Sequence, residues 1–217
     1  MIKNIFFDLD GTLLDTSFDL AAAANAALEK LDFGKKRYTP EEIKFIVGRG
    51  QDNYMRTIIP KELYSEENVT LLKNEYVHFY KNNISNSTVP YDGIVELIDK
   101  LTEKGVKVFC LTNKNHDFTM LLLEKFFDLD KFAKIQGIYD GIIPKPDPTC
   151  LNNIIHEFSL DKSQCLMVGD TENDIIVGDN AGIKTFGAAW GFKGREFLEK
   201  YNPTYMSENP LEILQII

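Results

Sequence analysis

Short apolar runs alternate with longer amphipathic stretches along much of this chain. Ile5-Phe6-Phe7, Val106 to Leu111, Cys165 to Val168 and Thr185 to Ala189 are each apolar and brief. They read as strands buried in a sheet, since a helix needs a longer run and a 3.6-residue rhythm. That rhythm lies between them. Ile94, Leu97, Ile98 and Leu101 make one helical stripe, with Gly105 placed to stop it, and Leu151, Ile154, Ile155 and Phe158 make another. Strands alternating with helices predict an α/β fold: a parallel sheet with helices on its faces.

From about Asp15 to Thr88 the pattern changes to helical stripes with no convincing strand. Leu20, Ala24, Ala27, Leu28 and Leu31 share one face. Thr39-Pro40-Glu41-Glu42 is a capping box with proline at the first helical position. Val69, Leu72, Tyr76, Phe79 and Tyr80 line a longer helix, and the polar stretch Ser85 to Pro90 leads back to the sheet. The expectation is an all-helical insert over residues 15–88, placed after the first strand. Residues 1–14 and 89–217 then form the core, with the insert above the strand ends where open α/β folds bind ligands.

Composition narrows the function classes. The chain has 217 residues, with 24 basic against 33 acidic side chains and a net charge of -9. That charge disfavours extended nucleic-acid binding. The one basic run, Lys35-Lys36-Arg37, reads as a solvated loop. Cys110, Cys150 and Cys165 show no CxxC spacing, which suits a reducing compartment. Asp8 follows only a few apolar residues, so neither a signal peptide nor a membrane span is expected, and the cytoplasm is the default location.

Four signals end a predicted strand or lie just beyond one, and so converge on one edge of the sheet. In Asp8-Leu9-Asp10-Gly11-Thr12 the glycine breaks the strand and lets two carboxylates crowd the next loop. Acids this close are stable as anions only beside a cation, and oxygen ligands suit Mg2+. A carboxylate is also a competent nucleophile toward phosphorus. A polar turn with both acids in solvent is the plain alternative. Thr112-Asn113-Lys114 offers a hydroxyl and backbone N–H groups to phosphate oxygens, although such residues also close ordinary turns. Lys145 stands between Pro144 and Pro146, which fix its backbone and hold its ammonium; the bland reading is an exposed loop lysine. Asp170 and Asp174, in Gly169-Asp170-Thr171-Glu172-Asn173-Asp174, lie four apart across a helix start. Acids favour helix N-termini in any case, but beside Asp8 and Asp10 they point to a metal.

In that order, and over the whole chain, these motifs resemble the haloacid dehalogenase-like hydrolase superfamily. The resemblance implies a Rossmann-like, three-layer α/β/α core under a mobile helical cap. It implies that Asp8 is the nucleophile and Asp10 the general acid/base, and that Thr112 and Lys145 bind the phosphoryl group, which then also meets the backbone near Asn113. It further implies that Asp8, the Asp10 carbonyl and Asp170 hold Mg2+, with Asp174 in support. Val47-Gly48-Arg49-Gly50 and Trp190-Gly191-Phe192 look like phosphoglycolate phosphatases and their relatives. Arg49 could then reach an anionic leaving group, or form an interdomain salt bridge. Three alternatives stay open: a sugar phosphomutase or pyrophosphatase of the same superfamily, and a phospho-aspartate signalling protein. Asp10 and the length of the insert disfavour the last. The expected partner is a small phosphorylated metabolite, with no extended nucleic acid and no membrane.

Overall fold

The computed structural model describes residues 1–217. β1 (Asn4–Phe7) leads through the short β2 (Leu14–Asp15) into four helices, α1 (Ser17–Lys30), α2 (Pro40–Ile46), α3 (Gln51–Ile58) and α4 (Glu66–Asn83). The chain returns through β3 (Val89–Pro90) to α5 (Ile94–Glu103), β4 (Lys107–Asn115), α6 (His116–Phe126) and β5 (Phe132–Ile138). It ends with α7 (Thr149–Glu157), β6 (Cys165–Gly169), α8 (Glu172–Ala181), β7 (Lys184–Ala188), α9 (Arg195–Leu198) and β8 (Tyr205–Ser207). Six strands form one sheet in the order β5-β4-β1-β6-β7-β8, and every pairing in it is parallel.

Alternation along the central strand builds the three layers. Ile5 and Phe7 join a cluster with Ile94, Leu97, Ile98 and Leu101 of α5 and with Leu122 and Leu123 of α6. Phe6 points the other way, into a second cluster with Leu151, Ile154 and Ile155 of α7 and Val177 of α8. A strand covered on both faces has no polar side, which is why β1, β4 and β6 are apolar runs. β5 and β8 carry fewer buried residues at the two sheet edges.

The helices α1 to α4 lie between β2 and β3, which pair antiparallel through Leu14 with Pro90 and Asp15 with Val89. Asp15, placed in a strandless stretch by the sequence pattern, is therefore in a two-residue ribbon. Leu20, Ala24, Ala27 and Leu28 of α1 are buried with Val69, Leu72, Tyr76 and Tyr80 of α4. The Thr39–Glu42 capping box forms as expected: the Thr39 hydroxyl accepts from the Glu42 N–H, and the Glu42 carboxylate accepts from the Thr39 N–H. Asp19 ties the returning segment to α1 by accepting from the N–H groups of Ser87 and Thr88 and the Thr88 hydroxyl. No helix is long and apolar enough to cross a membrane.

Candidate active site

The ends of β1, β4 and β6, with the loop before α7, deliver their side chains to one cleft. Asp8 continues the β1 ladder, its N–H donating to Val168 O at 2.9 Å. The chain then turns at Gly11, whose φ of +82° lies in the left-handed region. A Cβ on Gly11 would strike the Asp170 carboxylate, and one on Gly191 would strike both Gly11 O and Asp170. Glycine at both positions lets the first turn, the end of β6 and the 190–192 loop close to packing distance. The end of β4 carries Thr112, Asn113 and Lys114, and the loop before α7 carries Lys145.

Asp8, Asp170 and Asp174 are buried, and each offers an oxygen within 4.8 Å of the others. The Lys145 ammonium sits among them, 3.0 Å from Asp8 Oδ1 and 2.6 Å from Asp174 Oδ1. It also donates to Leu111 O at 2.8 Å. The approach to Asp8 Oδ1 is close enough for charge pairing but off hydrogen-bond direction, so that atom is buried with no hydrogen-bond partner. Asp170 accepts from the Thr12 hydroxyl at 3.3 Å and from the Phe192 N–H at 2.9 Å. Both oxygens of Asp174 are committed, Oδ1 to Lys145 and Oδ2 to the N–H and hydroxyl of Thr171 at the start of α8.

The electrostatics of this set call for more positive charge. Burial pushes the Asp8 carboxyl up to about 6, with Lys145 pulling it down and Asp174 and Asp10 pushing it up. Burial, then the charges of Asp8 and Asp174, hold Asp170 well above the ordinary carboxylate range. Burial alone would lower Lys145, but Asp174 and Asp8 outweigh it and keep the ammonium charged. Three carboxylates against one ammonium leave two negative charges when all are ionised. An all-oxygen donor set with that excess of negative charge fits a hard divalent cation.

Asp10 stands apart from that cluster. Its carboxylate accepts from the Thr16 hydroxyl at 2.7 Å and pairs with Lys114 Nζ at 3.0 and 3.1 Å. Asp8, Asp10, Thr112, Asn113 and Lys114 all line one cavity roofed by residues of α3 and α4. The Asn113 side chain is spent on architecture: its amide donates to Gly48 O and Lys145 O, and its oxygen accepts from the Lys145 N–H. Any contact of Asn113 with phosphate therefore falls to its backbone. Arg49 does not line this cavity. Its guanidinium donates twice to Glu172 Oε1, at 2.8 and 3.2 Å, bridging the helical region to the core.

Sequence reasoning missed several members of the site. Thr12 and Lys114 sit inside motifs that give neither a role of its own, Thr16 has no local signal, and Trp190-Gly191-Phe192 does not reveal that Phe192 donates to Asp170. His116 is structural, its Nδ1 accepting from the Gly137 N–H.

A parallel sheet that gathers buried carboxylates and a lysine at its strand ends, below a helical cover, is the architecture of an enzyme acting on an anionic group at a metal-assisted centre. The chain belongs to the haloacid dehalogenase-like hydrolase family, whose model matches residues 5–188. A phosphoglycolate phosphatase of Vibrio parahaemolyticus is 30% identical, with 100% of this chain and 96% of the relative covered. The pyrophosphatase PpaX of Bacillus cereus is 29% identical over 100% of this chain and 96% of its own length. A crystal structure of a predicted phosphoglycolate phosphatase from Haemophilus somnus superposes with a TM-score of 0.90 at 26% identity, covering 99% of this chain and 97% of that one. The chain is a phosphatase of the family's phosphoglycolate phosphatase-like subgroup, and members of this kind generally use a divalent metal.

Proposed function

We propose that this chain hydrolyses small phosphate monoesters of the phosphoglycolate kind with Mg2+, through an aspartyl-phosphate on Asp8. The observation that carries the proposal is Asp8 Oδ1, a buried carboxylate oxygen free of hydrogen bonds at the cavity beside Lys145. A nucleophile must keep a lone pair available, and a buried oxygen left unsatisfied is otherwise costly.

Asp8 and Asp170 would hold the cation with the Asp10 carbonyl, while Asp174, with both oxygens engaged, would keep Lys145 and the start of α8 in register behind them. Once bound, Mg2+ supplies charge neutralisation to the phosphoryl oxygens. Lys145 and the Thr112 hydroxyl orient the phosphoryl group so that Asp8 lies in line with the leaving oxygen. Asp10, protonated, gives its proton to that oxygen, then takes one from the water that hydrolyses the aspartyl-phosphate. Lys114 and Thr16 hold the Asp10 carboxylate in one orientation between those steps.

Residues 15–88 are taken as the cap, hinged at the β2–β3 ribbon. Clamping of Gly48 O by the amides of Asn113 and Asn173, and the Arg49–Glu172 pair, would keep it closed. Three unpaired cysteines, their thiols pushed up by burial, suit a cytoplasmic setting.

The likeness to a pyrophosphatase over the whole chain supports a second substrate, pyrophosphate, on the same machinery. A panel of phosphoglycolate, pyrophosphate, hexose phosphates and p-nitrophenyl phosphate, with Mg2+ or with EDTA, separates the two. Turnover of phosphoglycolate with release to water is expected, and Asp8→Asn should abolish it while leaving the circular dichroism unchanged. Transfer to an added sugar phosphate, or full activity in Asp8→Asn, would defeat the proposal.

A further inference from the structure

Only three buried side-chain nitrogen or oxygen atoms lack a hydrogen-bond partner: Asp8 Oδ1, Gln51 Nε2 and the Tyr80 hydroxyl. All three residues line the same cavity. Asp8 is accounted for by the chemistry, whereas Gln51, at the start of α3, and Tyr80, on α4, are not. Buried polar atoms are almost always paired in a folded protein, and the exceptions mark something that binds. Two of them, on residues that line one cavity from the helical side, need a common cause.

The surroundings decide what these atoms can do. Tyr80 is 1% exposed, with its ring held at 5.4 Å by stacked Tyr76 and at 5.2 Å by the edge of Phe118. Lys114 Nζ lies 4.7 Å from the same ring centroid while it grips Asp10. Burial, and the charges of Asp10 and Asp19, push the phenol well above its usual range, so it keeps its proton and can donate. Gln51 Nε2 can only donate. Beside them Leu20, Val47, Tyr54 and Phe118 make an apolar and aromatic stretch of the wall, which offers little to a long hydrated group.

We propose that Tyr80 and Gln51 are specificity-determining residues, whose free donors take an acceptor oxygen carried by the leaving group beyond its ester oxygen. A carboxylate is the strongest acceptor of that kind. The inference rests on the phosphatase reading: Asp8 and Asp10 would process any small ester, and Tyr80 and Gln51 would select among them. A site built to hydrogen-bond a substrate group rejects the analogue that lacks it, because its donors are left unpaired.

The test uses Mg2+-loaded wild type, Tyr80→Phe and Gln51→Leu on 2-phosphoglycolate, on ethyl phosphate (two carbons, no carboxylate) and on p-nitrophenyl phosphate. Wild type should prefer 2-phosphoglycolate to ethyl phosphate. Each variant should lower kcat/KM on 2-phosphoglycolate by about 10- to 100-fold, mostly through KM, and stay within about two-fold on the other two. Tyr80→Phe should not lower the thermal midpoint, since the hydroxyl it removes has no partner. Equal losses on all esters, no loss on any, or a wild type that prefers ethyl phosphate would each overturn this assignment alone. A wild type that turns over none of the three would overturn the phosphatase reading and this one with it.

Discussion

Lys145→Met removes the one ammonium from a cluster of three buried carboxylates and keeps nearly the same side-chain length, so the loss is of charge rather than volume. Nζ lies 3.0 Å from Asp8 and 2.6 Å from Asp174, and the side chain is 4% exposed. At an effective dielectric of about 20 these contacts carry gross attractions of roughly 5 and 6 kcal/mol. The lysine's own desolvation offsets much of that. Breaking a buried pair by deleting one partner costs about 3–5 kcal/mol, because the remaining charge is stranded. Urea unfolding followed by circular dichroism at pH 8 in EDTA should show that loss, with a thermal midpoint lower by roughly 10 °C for a chain of this size. Saturating Mg2+ should recover a large part of the stability, since a divalent cation neutralises the same carboxylates, but turnover should stay down by about 100-fold or more. A loss under about 1 kcal/mol in EDTA, or one indifferent to Mg2+, would refute the charge balance drawn here.

Three further outcomes follow from the same geometry. In EDTA, stability should fall as pH rises from about 4 to about 6, because the Asp8 carboxyl, raised from 3.8 to about 6 in the folded state, binds its proton more tightly there than in the unfolded chain. The change is about 3 kcal/mol, levelling off above that window, and Mg2+ should flatten it; a flat metal-free profile would contradict the raised carboxyl. Arg49→Ala and Glu172→Ala should each raise KM several-fold on every ester, with the double variant no worse than either; a loss confined to carboxylate-bearing esters would make Arg49 a substrate contact instead. Asn113→Ala removes one of the two bonds to Gly48 O and leaves both backbone groups of Lys145 without this partner, so it should cost about 2–3 kcal/mol of stability and lower kcat on all esters. Unchanged kcat with raised KM would return the Asn113 side chain to the phosphate.

The central strands were legible because both of their faces are covered, leaving no polar residue to blur the runs at Ile5-Phe6-Phe7 and Cys165 to Val168. β5 was not, since this edge strand leaves Ala133 exposed and Lys134 half-buried, and its buried Gln136 is satisfied by donating to Gly137 O. Within the helical region α1, α2 and α4 announced themselves by stripe or cap, whereas α3 begins at Gln51 behind two glycines and has only eight residues. Motif spacing pointed to Asp8, Asp170, Asp174 and Lys145, which the fold brings together. It could not see that Lys114 reaches Asp10, that Phe192 donates to Asp170, or that Glu172 holds Arg49, because each contact depends on tertiary geometry over 22 to 123 residues of separation. Asn113 shows the converse: the sequence pointed to its backbone as the phosphate contact, and only the fold shows its side chain shaping the loop that presents Lys145.

The claim on which the chemistry turns is that the Asp8 oxygen left free in the cavity attacks phosphorus. Wild-type protein quenched in acid during turnover, reduced with tritiated borohydride and digested, should yield a labelled peptide in which Asp8 has become homoserine, with the label absent from Asp8→Asn. Label on any other residue, or turnover with no trappable acyl phosphate under conditions where hydrolysis of the intermediate limits the rate, would contradict it.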